Sequence, residues 1–177
     1  VNAIASVKDE SLLRESTIYV SLEPCSHYGK TPPCAELIIR KRIPHVVIGC
    51  LDPFPEVSGR GVRMLREAGI EVVTGVLEEE ARRLNKAFMT FQTRKRPYVT
   101  LKWAESADGY IDKIRPNDTE PPVVFSTPET LARVHKMRAE SAAILVGKHT
   151  ALLDNPSLTV RHWTGKSPVR LVIDRDG

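Results

Sequence analysis

Residues 21–34 read Ser-Leu-Glu-Pro-Cys-Ser-His-Tyr-Gly-Lys-Thr-Pro-Pro-Cys. Two of the chain's three cysteines, Cys25 and Cys34, stand here, each directly after a proline, with His27 and Lys30 between them. Proline fixes φ and removes a backbone donor, so this stretch is expected to hold one shape. A rigid loop carrying two thiols suits a soft metal, zinc first among them. Just upstream, residues 17–22 (TIYVSL) are β-branched and apolar and read as a buried strand. Just downstream, Pro32-Pro33 leads into CAELIIRKR, which reads as a helix over about residues 34–41. The loop therefore leaves the carboxyl end of a strand and enters a helix, the place where α/β sheets build sites. A cysteine at a helix start feels the positive end of the dipole, so Cys34 is expected to have a lowered pKa.

The same alternation continues outward. Residues 1–13 suggest a helix packed on one face. Residues 45–51 (HVVIGCL) read as a second buried strand, with Asp52-Pro53-Phe54-Pro55 as the loop at its end. Helices are expected over 59–68 and 78–91, with a third strand over 70–73 between them. Strands alternating with helices imply a largely parallel sheet with helices on its faces. Residues 92–97 (QTRKRP) are polar, basic and proline-ended, and look like a domain boundary. A second α/β pattern follows. It comprises a strand over 98–103, a turn at 106–109, a loop at 115–122 that could be mobile, and a helix over 128–139 capped by Thr127. Beyond these lie strands over 142–146 and 169–173 and a short helix over 150–154.

Composition narrows the class. The 177 residues are 41% hydrophobic and 27% charged, as in soluble globular proteins. They contain no apolar run long enough for a transmembrane helix. Three cysteines is an odd number, which argues against a secreted disulfide framework and for metal-bound thiolates in a reduced, cytoplasmic setting. A net charge of +4 suits a phosphorylated small molecule and is not evidence for nucleic acid. Cys50 lies in an apolar strand and reads as a core thiol.

A catalytic zinc needs three protein ligands and an open position. Cys25 and Cys34 are two candidates. His27 could be a third, or could face a pocket. Zinc deaminases of nucleobases carry His-x-Glu and then Pro-Cys-x-x-Cys. Here Pro24-Cys25 and Pro33-Cys34 match the second part with eight residues between the cysteines, and no His-x-Glu occurs. In the second half no Gly-x-Gly-x-x-Gly is present, so a Rossmann site is not indicated.

EPCSHYGKTPPC, followed by a strand and DPFPEVSGRG, closely resembles the bifunctional deaminase–reductase family of riboflavin biosynthesis. The similarity continues in LKWAESADGYI and HKMRAESAAILVGKHTALLDNPSLTVR. The resemblance implies a fold and three segments. Residues 1–92 would be a cytidine-deaminase-like three-layer α/β domain and 93–97 a linker. Residues 98–177 would be the first part of a dihydrofolate-reductase-like domain. It implies a small phosphorylated pyrimidine as substrate, zinc and NADPH as cofactors, no nucleic acid or membrane partner, and a homo-oligomer. The reactions implied are deamination of a diaminopyrimidine bearing a phosphoribosylamino group, then reduction of its ribose to ribityl.

Carried over by position, Cys25 and Cys34 would bind zinc, and His27, Lys30 and Asp52 would contact the substrate. Arg138, Leu158 and Arg161 would contact substrate in the reductase half, the arginines through phosphate. Ser106, Thr150 and Asp154 would contact NADPH, with Lys102 as a weaker pocket candidate. Without the motif, each arginine would read as a surface ion pair. The family places His-Ala-Glu, its zinc histidine and proton-shuttling glutamate, immediately before Val-Asn-Ala-Ile, which here is residues 1–4. The chain as given is therefore expected not to deaminate, and zinc held by it to show an open or substituted position. The family's cofactor-packing Trp has no match in Val123-Val124-Phe125-Ser126-Thr127, so the aromatic cofactor contact is either absent or moved to Phe125. The rival readings are another nucleobase or nucleoside deaminase and a non-catalytic, zinc-stabilised binding module.

Overall fold

The computed structural model describes residues 1–29, 31–54 and 58–175. They form two units, Val1–Thr100 and Leu101–Gly177.

The first unit is built on three parallel strands in spatial order β1–β2–β3: β1 (Thr17–Leu22), β2 (His45–Cys50) and β3 (Glu71–Thr74). Thr17 pairs with His45, and Leu22 with Cys50; on the other side His45 pairs with Glu71 and Ile48 with Thr74. The connections are helices, α2 (Cys34–Arg40) between the first two strands and α3 (Arg60–Glu67) between the last two. A parallel pair requires such a crossover.

Side chains alternate between the two faces of a strand. On β2, Val46 and Ile48 face one way and join Ala35 and Ile38 of α2 and Val62 and Leu65 of α3 in the core. Ile48 and Leu65 are fully buried, each contributing about 1.5–3 kcal/mol of transfer free energy. Gly49 points the other way, against α4 (Glu78–Leu84). A Cβ there would lie 2.5 Å from the Ala81 Cβ and 3.0 Å from the Ser21 carbonyl, so only glycine lets the helix come this close. Helices thus cover both faces, giving three layers.

The N-terminal region holds a short α1 (Asn2–Ala5) and a 3-10 turn (Glu10–Glu15) in place of the single expected helix. Asp9 starts the turn by accepting from the Ser11 amide at 3.0 Å, and Ile4 and Leu13 reach the core. The helix expected over 78–91 is two helices, α4 and α5 (Lys86–Arg94). Asn85 separates them: its side-chain amide donates to the Ala81 carbonyl at 2.8 Å, closing off α4. α5 extends into the polar stretch read as a linker, as far as Arg94, and stops at Lys95, which has φ +51.

In the second unit α6 (Pro128–Ala139) starts as expected, with Pro128 in its first turn and the Thr127 hydroxyl accepting from the Thr130 amide at 3.3 Å. It leads to β4 (Ala143–Gly147), then α7 (Lys148–Asp154), then β5 (Val169–Ile173), which pairs with β4 in parallel. Residues 98–103, expected to be a strand, are not one in the structure. Alternating apolar side chains suit a strand, but only a ladder partner makes one. The 115–122 loop, expected to be mobile, is tied down at Arg115 and Glu120. The Arg115 guanidinium, 6% exposed, donates to Asp112 at 2.8 Å, to Asp154 at 2.5 Å and to the Glu120 carbonyl at 3.2 Å. Asp112 also accepts from the Val123 amide at 3.0 Å. Among the described residues no helix is long and apolar enough to cross a membrane.

Candidate metal centre and arginine cluster

At the end of β1 the chain leaves the sheet but stays attached to it: the Glu23 amide donates to the Cys50 carbonyl at 2.9 Å. Pro24 and Cys25 follow, and the loop returns to α2. The Cys34 amide donates to Cys25 Sγ at 3.2 Å, and the Ala35 amide donates to the Cys25 carbonyl at 3.1 Å. Cys25 therefore satisfies two amides of the first turn of α2, which would otherwise lack partners. Midway, the Tyr28 hydroxyl donates to Glu36, fixing the loop to the helix a second time.

The two thiols are half-buried neighbours. The Cys34 pKa is raised rather than lowered, first by burial, then by its hydrogen bond to Cys25 and the charge there. This corrects the expectation from the helix start. Burial disfavours the thiolate more than the short helix and the nearby Val1 ammonium favour it. Cys25 and Cys34 line a cavity of about 280 Å³ together with Glu23, Leu22, Leu37 and Val1. Two adjacent sulfur donors at a half-buried site fit a soft divalent ion such as zinc, supplying two of its four positions. Among the described residues no group of three or more His, Cys, Asp or Glu side chains gathers to hold a metal.

The other candidates of this half divide. His27 is exposed on the loop. Lys30 lies outside the described residues. Asp52 is half-buried at the end of β2; its carboxylate accepts from the Phe54 amide at 2.9 Å. Cys50 is a core thiol: it is 1% exposed, donates to the Ser21 carbonyl at 3.2 Å, and has a pKa pushed up by burial.

Glu23 was not singled out from sequence. It is 5% exposed, yet both carboxylate oxygens are used: Oε2 accepts from the Asp52 amide at 3.2 Å and the Gly59 amide at 2.9 Å, and Oε1 from the Val62 amide at 3.2 Å. The available signal was an acid at the end of an apolar strand. Its partners lie 29 to 39 residues further on, beyond any local pattern.

In the second unit Arg138, Leu158 and Arg161 come together where α6 meets the loop after α7. Arg138 Nη1 donates to the Thr159 carbonyl at 2.7 Å. Arg161 donates to the hydroxyls of Ser157 and Thr159. Leu158 sits between those two residues with φ +53, a conformation that costs a side-chain-bearing residue energy. Burial, and then the charge of Arg161, lower the Arg138 pKa, and the Arg138 Nε is buried without a partner. Two close guanidiniums with spare donors suit an anion.

His135, also missed from sequence, underlies this cluster. It is fully buried, and its Nδ1 accepts from the Arg161 amide at 2.9 Å and the His162 amide at 3.3 Å. Its pKa is lowered by burial, then by Arg138, His162 and Arg161. The neutral ring therefore carries its proton on Nε2.

The three candidates for a cofactor are less gathered. Thr150 is exposed on α7. Asp154, at the end of α7, is engaged by Arg115. The Ser106 hydroxyl is turned into its own turn, donating to Asp108 at 2.5 Å and accepting from the Tyr110 amide at 3.1 Å.

Comparison with known proteins agrees with both halves. Residues 1–50 match the cytidine and deoxycytidylate deaminase zinc-binding region, and residues 97–177 match the RibD C-terminal domain. The riboflavin biosynthesis protein RibD of Aquifex aeolicus is 49% identical over 160 residues, covering 90% of this chain and 44% of that protein. That of Bacillus amyloliquefaciens is 46% identical over 165 residues, covering 93% and 43%. Among solved structures, a diaminohydroxyphosphoribosylaminopyrimidine deaminase/5-amino-6-(5-phosphoribosylamino)uracil reductase from Thermotoga maritima superposes with a TM-score of 0.78. It has 49% identity, over 91% of this chain and 44% of that one. Acinetobacter baumannii RibD gives 0.83 at 37% identity, over 96% and 48%. The chain thus spans a little under half the length of the relatives it matches. The fold is a cytidine-deaminase-like zinc-binding region followed by residues of a dihydrofolate-reductase-like domain. Over the residues they share, the chain is similar to the RibD riboflavin biosynthesis proteins.

Proposed function

We propose that this chain is part of a riboflavin-biosynthesis enzyme with two roles, to which it supplies two of the zinc ligands rather than deaminating by itself. One is zinc-dependent hydrolytic deamination of a diaminopyrimidine bearing a phosphoribosylamino group. The other is NADPH-dependent reduction of the ribose to ribityl. In this reading residues 1–92 carry the first chemistry, 98–177 the second, and 93–97 join them. The protein works in the cytoplasm as a homo-oligomer. The observation that carries the proposal is the pairing of Cys25 and Cys34, two soft donors set side by side on a cavity wall at the end of a parallel strand.

Bound zinc supplies Lewis acidity that activates water at neutral pH, and NADPH supplies hydride. The chain's own residues bind and orient. Asp52, at the end of β2, holds an amine of the pyrimidine, while His27 and Lys30 take the ribose and phosphate. Leu22, Leu37 and Val1 form the apolar part of the wall beside the thiols. In the second half Arg138 and Arg161 grip the phosphate, with Leu158 between them against the sugar. Ser106, Thr150 and Asp154 face the cofactor, Asp154 with its carboxylate already oriented by Arg115.

The test is calorimetric titration of the zinc-loaded protein with the phosphoribosylamino diaminopyrimidine. The proposal expects saturable 1:1 or 2:1 binding, weakened when the phosphate is removed. No binding, or binding indifferent to phosphate, contradicts it. Four protein ligands on the zinc would instead favour a structural metal.

A further inference from the structure

We infer that Glu23 is a positioning residue: its buried carboxylate takes the amides of Asp52 and Gly59 and so sets where the Asp52 carboxylate stands beyond the end of β2. This rests on the reading of Asp52 as the acid that holds the substrate amine.

Three amides converge on Glu23. Those of Asp52 and Gly59 reach the same oxygen at 3.2 and 2.9 Å; that of Val62, inside α3, reaches the other at 3.2 Å. With donors facing both oxygens, the site demands a group that only accepts, which a carboxylate is and an amide is not. Hydrogen bonds to a charged acceptor are roughly twice as strong as neutral ones. Glu23 is itself fixed from behind by its amide bond to the Cys50 carbonyl at 2.9 Å. It precedes Cys25 by two residues and lines the same cavity as both thiols.

A second contact locks the arrangement. A Cβ on Gly61 would collide with the Pro24 carbonyl and lie 3.2 Å from Glu23 Oε1, so α3 touches the backbone that carries Cys25. The strand end bearing Asp52, the start of α3 and the thiol loop are thus one assembly with Glu23 at its centre. Asp52 contributes its amide to Glu23, which leaves its side chain to the Phe54 amide and to a ligand.

The test compares Glu23→Gln, Asp52→Asn and the double variant for binding of the phosphoribosylamino diaminopyrimidine and of the same compound with oxygen in place of the ring amine. Loss of a hydrogen bond to a charged group weakens binding about 10- to 100-fold. Both single variants are expected to show a loss of this size for the amine compound only. The double variant should be no worse than Asp52→Asn, since Glu23 acts through Asp52. The thiolate-to-metal absorption of the cobalt-loaded protein should persist in Glu23→Gln. If Asp52→Asn binds normally, the reading of Asp52 fails. If Asp52→Asn loses binding while Glu23→Gln does not, or if the losses add, the inference about Glu23 is overturned. Should Glu23→Gln not fold, Gly59→Ala replaces it. Gly59 has φ +75 and open space where a methyl would stand, so alanine strains the far anchor without filling the core. A several-fold selective loss of the amine compound supports the inference, and unchanged binding overturns it.

Discussion

The Cys34 amide donates to Cys25 Sγ at 3.2 Å, joining the first and last residues of the thiol loop across nine positions. One side chain therefore does two things. It caps the first turn of α2, and it stands its sulfur beside the second thiol. A serine at position 25 keeps a capping acceptor but not a soft metal ligand. Metal binding and loop closure can thus be separated by one substitution.

The approach of α3 to the thiol loop predicts the effect of Gly61→Ala. The added methyl would collide with the Pro24 carbonyl, and backbone on both sides must move. Overpacking of this kind costs about 1–3 kcal/mol. Urea denaturation of the two proteins measures it, and a change below about 0.5 kcal/mol, the level of ordinary surface substitutions, would mean the contact is looser than described.

The core of the first unit makes a sharper contrast. Ile48→Ala removes a fully buried side chain between α2 and α3 and should cost about 2–5 kcal/mol. Leu84→Ala, at a position 74% exposed, should stay within about 0.5 kcal/mol. Equal losses would contradict the layer arrangement.

The arginine cluster predicts a phosphate-specific loss. Arg138→Gln and Arg161→Gln should each weaken binding of a phosphorylated ligand about 10- to 100-fold, the range for a charge-assisted bond. Binding of the dephosphorylated ligand should not change. Calorimetry in low and high salt checks this, because losing a phosphate contact should also flatten the salt dependence.

His135 predicts the direction of a pH effect. Its pKa lies below the ordinary 6.5, so the unfolded chain takes up a proton at a higher pH than the folded one. Stability from this group is complete above about 6.5 and falls as pH drops below it. Protonation puts hydrogen on Nδ1, where the Arg161 and His162 amides already point. The charges facing the ring, Arg138, His162 and Arg161, oppose it further. The urea midpoint should drop between pH 7.5 and 5.5, and His135→Asn, which keeps an acceptor near Nδ1, should drop less. An equal drop in both would contradict the role of the ring.

Local patterns made much of this fold readable. TIYVSL, HVVIGC and VRLVI are the three strands β1, β2 and β5, and Thr127-Pro128 marks the start of α6, because β-branched runs and helix caps act through near neighbours. The break at Asn85 was not legible. Apolar periodicity runs on across it, and the end of α4 shows only in the Asn85 backbone and in its side-chain bond back to Ala81. The missing strand at 98–103 depends on a pairing partner rather than on its own residues. The candidate sites divide in the same way. Cys25 and Cys34 were visible as a motif, and Arg138 and Arg161 through resemblance. Glu23 and His135 were invisible, because each takes its role from amides 26 to 39 residues away. The raised pKa of Cys34 followed from burial, which sequence spacing does not report.

The central claim is that Cys25 and Cys34 together hold zinc, and the most direct measurement is the near-ultraviolet spectrum of the cobalt-substituted protein. The account predicts a thiolate-to-cobalt band that is reduced to about half or lost in both Cys25→Ser and Cys34→Ser and unchanged in Cys50→Ser, with zinc-edge absorption fitting two sulfurs at about 2.3 Å. No thiolate band in the wild type, or a band that survives in either Cys25→Ser or Cys34→Ser at full strength, would contradict it.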